Sequence, residues 1–403
     1  MWSYHNPVSI HFGAGEFDRV SSLVDGRPYA IVTYGDTYFS KLCEKLAAKA
    51  GTPMLTINDV TPNPDFNFLS DACDSLRVHD QLPEVIVALG GGSVLDAAKV
   101  AAVGEGGFDA VRQHLETNGS SATLPSQAIP IIAVPTTHGT GSEVTSWATV
   151  WDTSNAKKFS LARYDLYPTD AVIDPELMRE LPLDQTISTG LDALSHALES
   201  IWNINANPIS ANFSVRAATL VLDHLAPLSR NLDDIGLRSH LAEASTLAGM
   251  AFSNTRTALA HSLSYPVTLH HGIPHGIACS FTLADVMRSA IGVSPDCDNY
   301  LRQVFGDDLD AGADRLNQFL SQLGVSDDPA SFGVDPSAWR SWVDDAIDGA
   351  RGKNFIGPRD RVQKIFMPLG PKPGQKPVEQ QEPATTSLGA TTSLGATKMG
   401  DIK

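Results

Sequence analysis

The chain has 403 residues, 42% of them hydrophobic, and a formal net charge of -17. An acidic surface of that size repels nucleic acid and anionic membranes, and no apolar run approaches the ~18 residues that a membrane-spanning helix needs. A soluble protein with room for two cores is expected, and the start MWSYHNPVSIHFG, without a basic or a continuous apolar region, points to the cytoplasm.

The predicted elements begin with short β-branched runs. Ala30–Thr33, Met54–Ile57, Val85–Leu89 and Ile129–Val134 read as buried strands that alternate with helical segments, the pattern of a parallel sheet. The third strand runs straight into Gly90, Gly91, Gly92 and Ser93 and then into the helical run VLDAAKVAAV. Glycines there let the backbone approach a pyrophosphate, and the free amides and positive end of the new helix attract its charge. Purely structural strand-to-helix turns use glycine as well, so the buried strand ahead of the loop is what favours a dinucleotide. The fourth strand leads into PTTHGTGSEVT, Pro135 to Thr145, a loop rich in hydroxyls that suits either cofactor contact or a plain polar connection.

After Pro175 the sequence turns almost wholly helical. Asp192 and His196 in GLDALSHALES are four apart, which puts both side chains on one helix face. His261 is read as ending a later helical run, with Pro266, Gly272 and Pro274 turning the chain so that His275 returns to the same point. One Asp with three neutral imidazoles suits a divalent borderline ion, Fe(II) or Zn(II), since thiolates are absent from the set and carboxylates too few for calcium or magnesium. Taken singly, His196 and His261 read first as core histidines and Asp192 as a local hydrogen-bond acceptor; the glycine loop upstream tips the set toward a metalloenzyme. The four cysteines, Cys43, Cys73, Cys279 and Cys297, show no CxxC spacing and read as reduced thiols. From about Met367 the composition changes to Pro, Gly, Gln and Lys followed by TTSLGATTSLGATK, a tail expected to be disordered.

GGGSVLDAAK, PTTHGTGSEVT, VIDPEL, STGLDALSHALES, GMAFSN and the IPHG around His275 occur in an order that resembles the group III, iron-type alcohol dehydrogenases, over about residues 5 to 366. The resemblance implies an N-terminal Rossmann-like α/β dinucleotide-binding domain (residues 1–176), an all-α metal-binding domain (177–366) and a cleft where metal and NADH or NADPH meet. It places metal ligands at Asp192, His196, His261 and His275, the pyrophosphate loop at Gly90, Gly91, Gly92 and Ser93, and cofactor contacts at Thr136, Thr137, Thr140, Ser142 and Lys158. Relatives commonly carry a second histidine four residues after the third ligand for proton relay. Here that position is Tyr265, so Tyr265 and His271 are the candidate relay residues, with His271 preferred. His138 stands where small residues are usual and has no assigned role. Tyr34 and Gly35 occupy the place where NAD-preferring relatives set an aspartate against the ribose; if Asp36 reaches it, NAD is preferred, and if Gly35 faces it, a 2′-phosphate is tolerated.

The implied reaction is metal-dependent reduction of a short aldehyde to a primary alcohol; a homodimer is expected because dimers are the commonest assembly of soluble enzymes. Within the family, SNTRTALAHSLSYPVTLHHGIPHG and MWSYHNPV look most like phosphonoacetaldehyde reductases of phosphonate antibiotic pathways. That substrate requires cations near the metal, for which Arg256, His270, His271 and Arg163 are available, although Arg256 lies about 140° round from His261 if one helix carries both. The competing readings are a general short-chain or lactaldehyde-type alcohol dehydrogenase, a lyase of the dehydroquinate synthase type and a nucleotide-binding subunit without chemistry.

Overall fold

A computed structural model describes residues 1–78, 81–117, 119, 124–155 and 157–367; the tail expected to be disordered lies outside them from residue 368 onward. The chain starts with strand β1 (Ser9–Phe12), the short helix α1 (Val20–Val24), β2 (Tyr29–Val32) and α2 (Thr37–Ala50). Then come β3 (Leu55–Ile57), α3 (Phe66–Arg77), β4 (Val85–Gly90), α4 (Gly92–Ala101), α5 (Phe108–Glu116) and β5 (Ile131–Pro135). A hairpin, β6 (Trp147–Asp152) and β7 (Lys157–Ala162), precedes β8 (Asp170–Ile173).

Six strands form one parallel sheet in the order β1-β8-β5-β4-β2-β3. The four expected strands are all present, and β1 and β8 extend the sheet beyond them. Side chains alternate across it with period two: Ile86 and Ala88 of β4 join one core with Ala30 and Val32 of β2, whereas Val85, Val87 and Leu89 join Tyr29 and Ile31 on the other face. Burial on both faces explains why these strands read as continuous apolar runs. From β2 the chain moves outward to β3 and then crosses back to β4, so the strand order reverses between β2 and β4. A crevice opens there, outside the carboxyl ends of the two strands, where open parallel sheets bind ligands.

The hairpin lies outside this sheet and pairs antiparallel, with Trp151 opposite Lys158. Its strand Trp147–Asp152 alternates half-buried and buried residues, and Ala148 and Val150 enter the sheet's core.

Beyond residue 182 the described chain is helical: α6 (Leu183–Ile201), α7 (Pro208–Leu228), α8 (Ile235–Thr255), α9 (Leu259–His271), α10 (His275–Ser280) and α11 (Leu283–Ala290), then α12 (Pro295–Phe305), α13 (Leu309–Gln322), α14 (Pro336–Asp348) and α15 (Arg359–Phe366). Local signals set several boundaries. Asn207 and Ser210 form a capping box with Pro208 at the first position of α7, and the Asp234 side chain accepts from the Leu237 N–H to start α8. One apolar core runs through this half, from Leu191 and Leu194 on α6 to Phe366 on α15.

His261 does not end a helical run. The α8 helix stops at Thr255 because Arg256 takes a left-handed φ of 65°, and α9 starts afresh at Leu259, so His261 sits in its first turn. Pro266 lies inside α9, and the break before His275 is made by Gly272 (φ 65°) and Pro274. The left-handed residue also removes the 140° argument against Arg256, since no single helix joins it to His261. Among the described residues no helix is long and apolar enough to cross a membrane.

Candidate active site

A cavity of about 740 Å³ lies between the sheet's crevice and the helical half. Its helical wall is built around Asp192. The Oδ1 atom of that residue stands 3.8 Å from His196 Nε2, 3.5 Å from His261 Nε2 and 3.9 Å from His275 Nε2. Three helices supply the groups: α6 gives Asp192 and His196 one turn apart, α9 gives His261 and α10 starts with His275. The approach of α10 to α6 depends on Gly276, where a Cβ would fall 1.7 Å from the Ser188 carbonyl oxygen.

Asp192 Oδ1 and His261 Nε2 are both buried, and neither has a hydrogen-bond partner; at 3.5 Å they are too far apart to satisfy one another. A buried carboxylate without a partner costs several kcal/mol, and a cation between the facing atoms removes that cost. The donor set fits a divalent metal ion on this ground. Burial alone would raise the Asp192 pKa, but the facing His196, His261 and His275 hold it well below the usual carboxylate range. Burial pushes His196 down to about 4, against the pull of Asp192, so its imidazole is neutral and able to ligate at neutral pH.

Glu199, which the sequence reading passed over, organises this wall. Fully buried on α6, its carboxylate accepts from the backbone N–H of Ala258 (2.8 Å), Ala260 (2.5 Å) and His261 (3.2 Å), and from His261 Nδ1 at 2.7 Å. One side chain therefore caps α9 and fixes His261 as the Nδ1–H tautomer, which leaves Nε2 to face Asp192. Burial opposes its charge, yet His261 and these N–H groups keep Glu199 below its ordinary pKa. Its position three residues after His196, on the same helix face, is the signal that would have found it. His196 is held by the Gly139 carbonyl at 3.3 Å from Nδ1 and by its stack on Phe252, with ring centroids 4.0 Å apart.

Cys279, left outside the set in the sequence reading, lies beside it. One turn after His275 on α10, its Sγ lies 3.5 Å from His275 Nε2, and Asp192, His261, His275 and Cys279 bring their ligand atoms within 4.8 Å of one another. Burial raises the Cys279 pKa, which keeps it a thiol.

The opposite wall is the glycine loop. Gly91, Gly92 and Ser93 line the cavity at the start of α4, which has no side-chain cap. A Cβ on Gly92 would lie 2.6 Å from Thr140 Cγ2, and one on Gly91 would lie 3.1 Å from Thr137 Cγ2. The glycine backbone therefore packs directly against the threonine side chains, and both threonines line the cavity with Ser142. Gly90 closes β4, and Thr136 is buried with its N–H on the Gly90 carbonyl; neither lines the cavity. Beneath them Lys99, 1% exposed, donates to the Ser142 carbonyl (2.7 Å), Ser142 Oγ (2.8 Å), Thr145 Oγ1 (3.2 Å) and the Trp147 carbonyl (2.9 Å). Asp96 accepts from Ser142 Oγ and the Thr149 N–H, both at 2.8 Å. Burial pushes Lys99 down to about 8, against the pull of Asp96 and Glu143.

The remaining expected site residues separate. Asp36 caps α2, accepting from the Tyr38 and Phe39 N–H groups, and does not line the cavity; Tyr34 does. Lys158 lines it, with Nζ 4.3 Å from the centre of the Tyr265 ring. Tyr265 also lines it, parallel to His275 at 6.3 Å. His271 does not: its ring meets Trp342 edge-on at 5.8 Å. Of the candidate anion-binding cations, Arg256 lines the cavity. Arg163 is paired with Asp165 at 2.6 Å, and His270 stacks on Trp342. His138, unassigned from sequence, is fully buried between Thr189 Oγ1 and Arg238 Nη1, each at 3.3 Å, and so ties the threonine loop to α6 and α8.

The family model for iron-containing alcohol dehydrogenases matches residues 7–175, and the C-terminal model of the Fe-containing alcohol dehydrogenase family matches residues 186–367. The chain belongs to the iron-containing alcohol dehydrogenase family. Among relatives, it is 36% identical to a phosphonoacetaldehyde reductase of Streptomyces viridochromogenes over 59% of this chain; the match spans 60% of that protein's length. It is 32% identical to long-chain-alcohol dehydrogenase 1 of Geobacillus thermodenitrificans over 73% of this chain and 75% of that one. Among solved structures of similar fold is the sulfoacetaldehyde reductase of Bifidobacterium kashiwanohense in complex with NAD+, with a TM-score of 0.83 and 28% identity over 91% of this chain and 98% of the other. Family membership agrees with the parallel sheet followed by a helical half, and with Asp192 and the histidines facing the glycine loop across one cavity.

Proposed function

We propose that this iron-containing alcohol dehydrogenase family member reduces a short aldehyde to its primary alcohol with NADH, and that the aldehyde is phosphonoacetaldehyde, giving 2-hydroxyethylphosphonate. The observation that carries the reaction type is the partnerless pair Asp192 Oδ1 and His261 Nε2, buried in the same cavity as Gly91–Ser93. Asp192, His196, His261 and His275 would hold iron, with zinc an alternative occupant of the same donor set. When bound, the metal ion polarises the carbonyl as a Lewis acid and the reduced dinucleotide supplies hydride.

The chain's own residues do the rest. Glu199 and the Gly139 carbonyl orient two of the imidazoles, and the uncapped amides at the start of α4 would hold the diphosphate of the dinucleotide. Tyr265, the relay candidate that lines the cavity, would supply the proton to the product oxygen, whereas His271 lies outside the cavity against Trp342. Asp36 caps α2 and does not line the cavity, so its carboxylate would not stand against a 2′-phosphate there, and NADPH would be accepted as well. The phosphonate assignment is supported by the 36% identical relative and by the sulfoacetaldehyde reductase fold, both named for acetaldehydes that carry an oxyanion.

The test is turnover of phosphonoacetaldehyde against propanal, each with NADH and NADPH, by protein purified without oxygen and analysed for bound metal. A clear preference for phosphonoacetaldehyde is expected. Equal or faster turnover of propanal would remove the phosphonate assignment, and activity in metal-free protein would remove the metal.

A further inference from the structure

Three cations line the cavity from segments far apart in sequence, two of them against Tyr265 and the third against Trp147. Lys158 comes from β7, Arg256 from the break between α8 and α9, and Arg351 from the turn after α14. Lys158 Nζ lies 4.3 Å and Arg351 Cζ 4.9 Å from the centre of the Tyr265 ring, and Arg256 Cζ lies 5.6 Å from that of Trp147. Arg351 Nε is further fixed by a 3.0 Å hydrogen bond to Thr257 Oγ1. Among the described residues none of the three has a carboxylate within 4.0 Å, although the chain carries 46 acidic residues against 29 basic ones. Contrast Arg163, Arg288 and Arg359, each paired with an aspartate. The two arginines, held by aromatic faces in this cavity of an acidic protein with no carboxylate paired to them, are open to a negative charge from outside. Lys158 adds to them, although it also feels Asp96 on the same cavity lining.

We propose that Arg351, Arg256 and Lys158 form the subsite for the oxyanion tail of the substrate, with Arg351 and Arg256 as its specificity-determining residues. The assignment rests on the aldehyde-reduction reading above and adds the residues that choose among aldehydes. A dinucleotide diphosphate is the other possible source of the anion. The geometry favours the substrate because both arginines belong to the helical wall. Arg256 lies five residues before His261, and Thr257, which holds Arg351, adjoins the Ala258 N–H bound by Glu199. The dinucleotide loop lies on the opposite wall, where the start of α4 already supplies amides. Planar guanidinium groups match the oxygens of a tetrahedral phosphonate with paired, charge-assisted hydrogen bonds.

The experiment uses the metal-loaded enzyme and its Arg351→Gln and Arg256→Gln variants, with folding checked by thermal melting. Titration calorimetry with methylphosphonate, in the presence of NADH, reads the subsite without turnover. Binding to the wild type that weakens roughly 10- to 100-fold in each variant is expected. In turnover, the ratio of kcat/KM for phosphonoacetaldehyde to that for propanal falls by a similar factor, while the KM for NADH moves less than about threefold. Sulfoacetaldehyde, with one charge fewer, loses less. No binding of methylphosphonate to the wild type, an unchanged ratio in both variants, or methylphosphonate that competes with NADH would each overturn the proposal. Binding that depends on the arginines in an enzyme that turns over no aldehyde would instead overturn the reaction reading and leave the subsite standing.

Discussion

The two walls of the cavity are built by different means. The glycine-loop wall is local: Gly91 and Gly92 lie within one turn of chain, and small backbone-to-threonine contacts set their place. The helical wall is assembled from Asp192, His196, His261 and His275 over more than eighty residues of sequence, and a buried carboxylate, Glu199, aims it. Shape governs the first wall and charge governs the second. Damage to the second should therefore abolish the metal site outright, whereas damage to the first should weaken one ligand by degrees.

The largest expected effect comes from His261→Ala, which removes the imidazole whose Nε2 faces Asp192. Metal bound per chain, read by elemental analysis, should fall close to zero, and kcat/KM should drop on the order of a thousandfold, the scale of losing several kcal/mol of charge stabilisation. Retained metal at the wild-type level would show that the four-residue set is wrong. Glu199→Gln comes next and probes aim without touching a ligand. A neutral amide cannot serve three backbone N–H groups and His261 Nδ1 as the carboxylate does. Metal affinity should weaken about 10- to 100-fold, and the free energy of unfolding, read by denaturant titration, should fall by about 3 kcal/mol. A variant that is destabilised but binds metal as tightly as the wild type would confine Glu199 to capping α9.

The same contrast explains what could be read from the sequence. The glycine loop was legible because strand, turn and helix adjoin in the chain and the buried strand on one side vouches for the loop. Asp192 and His196 were legible by their helical spacing. The turn of α9 was misread because nothing in SNTRTALAHS announces that Arg256 takes a left-handed φ and restarts the helix at Leu259. Arg351 was out of reach: it lies in RGKN, without a motif, and joins Tyr265 and Thr257 only through tertiary packing. Cys279 reads from sequence as a reduced thiol without CxxC spacing, yet the four-residue step from His275 places its sulfur against the imidazole.

Gly92→Ala tests the local wall. A Cβ there would sit 2.6 Å from Thr140 Cγ2, so the threonine loop must yield, and overpacking of this kind costs about 1–3 kcal/mol. The KM for NADH should rise roughly tenfold or more, with metal content at the wild-type level. If the substitution also empties the metal site, the two walls are coupled through His196 and the Gly139 carbonyl, and the division drawn above fails.

The smallest effect concerns Glu143, a carboxyl 3% exposed beneath the threonine loop that accepts from Thr246 Oγ1 at 3.5 Å. Burial raises its pKa from 4.5 to about 6, against the pull of its own backbone N–H and of Lys99. Below pH 4.5 folded and unfolded chains both hold the proton, so the group costs nothing. Between 4.5 and about 6 the unfolded chain releases it first, and stability falls with rising pH until the folded form ionises as well. Glu143→Gln removes that slope. It should be more stable than the wild type by about 1–2 kcal/mol above pH 6 and no more stable below pH 4.5, as read by denaturant unfolding across that range. Lys99, deprived of one neighbouring charge, trims the gain toward the lower figure. A difference between the two proteins that stays flat with pH would mean that Glu143 ionises at the same pH folded and unfolded, so that its burial is fully offset by its N–H bond and by Lys99.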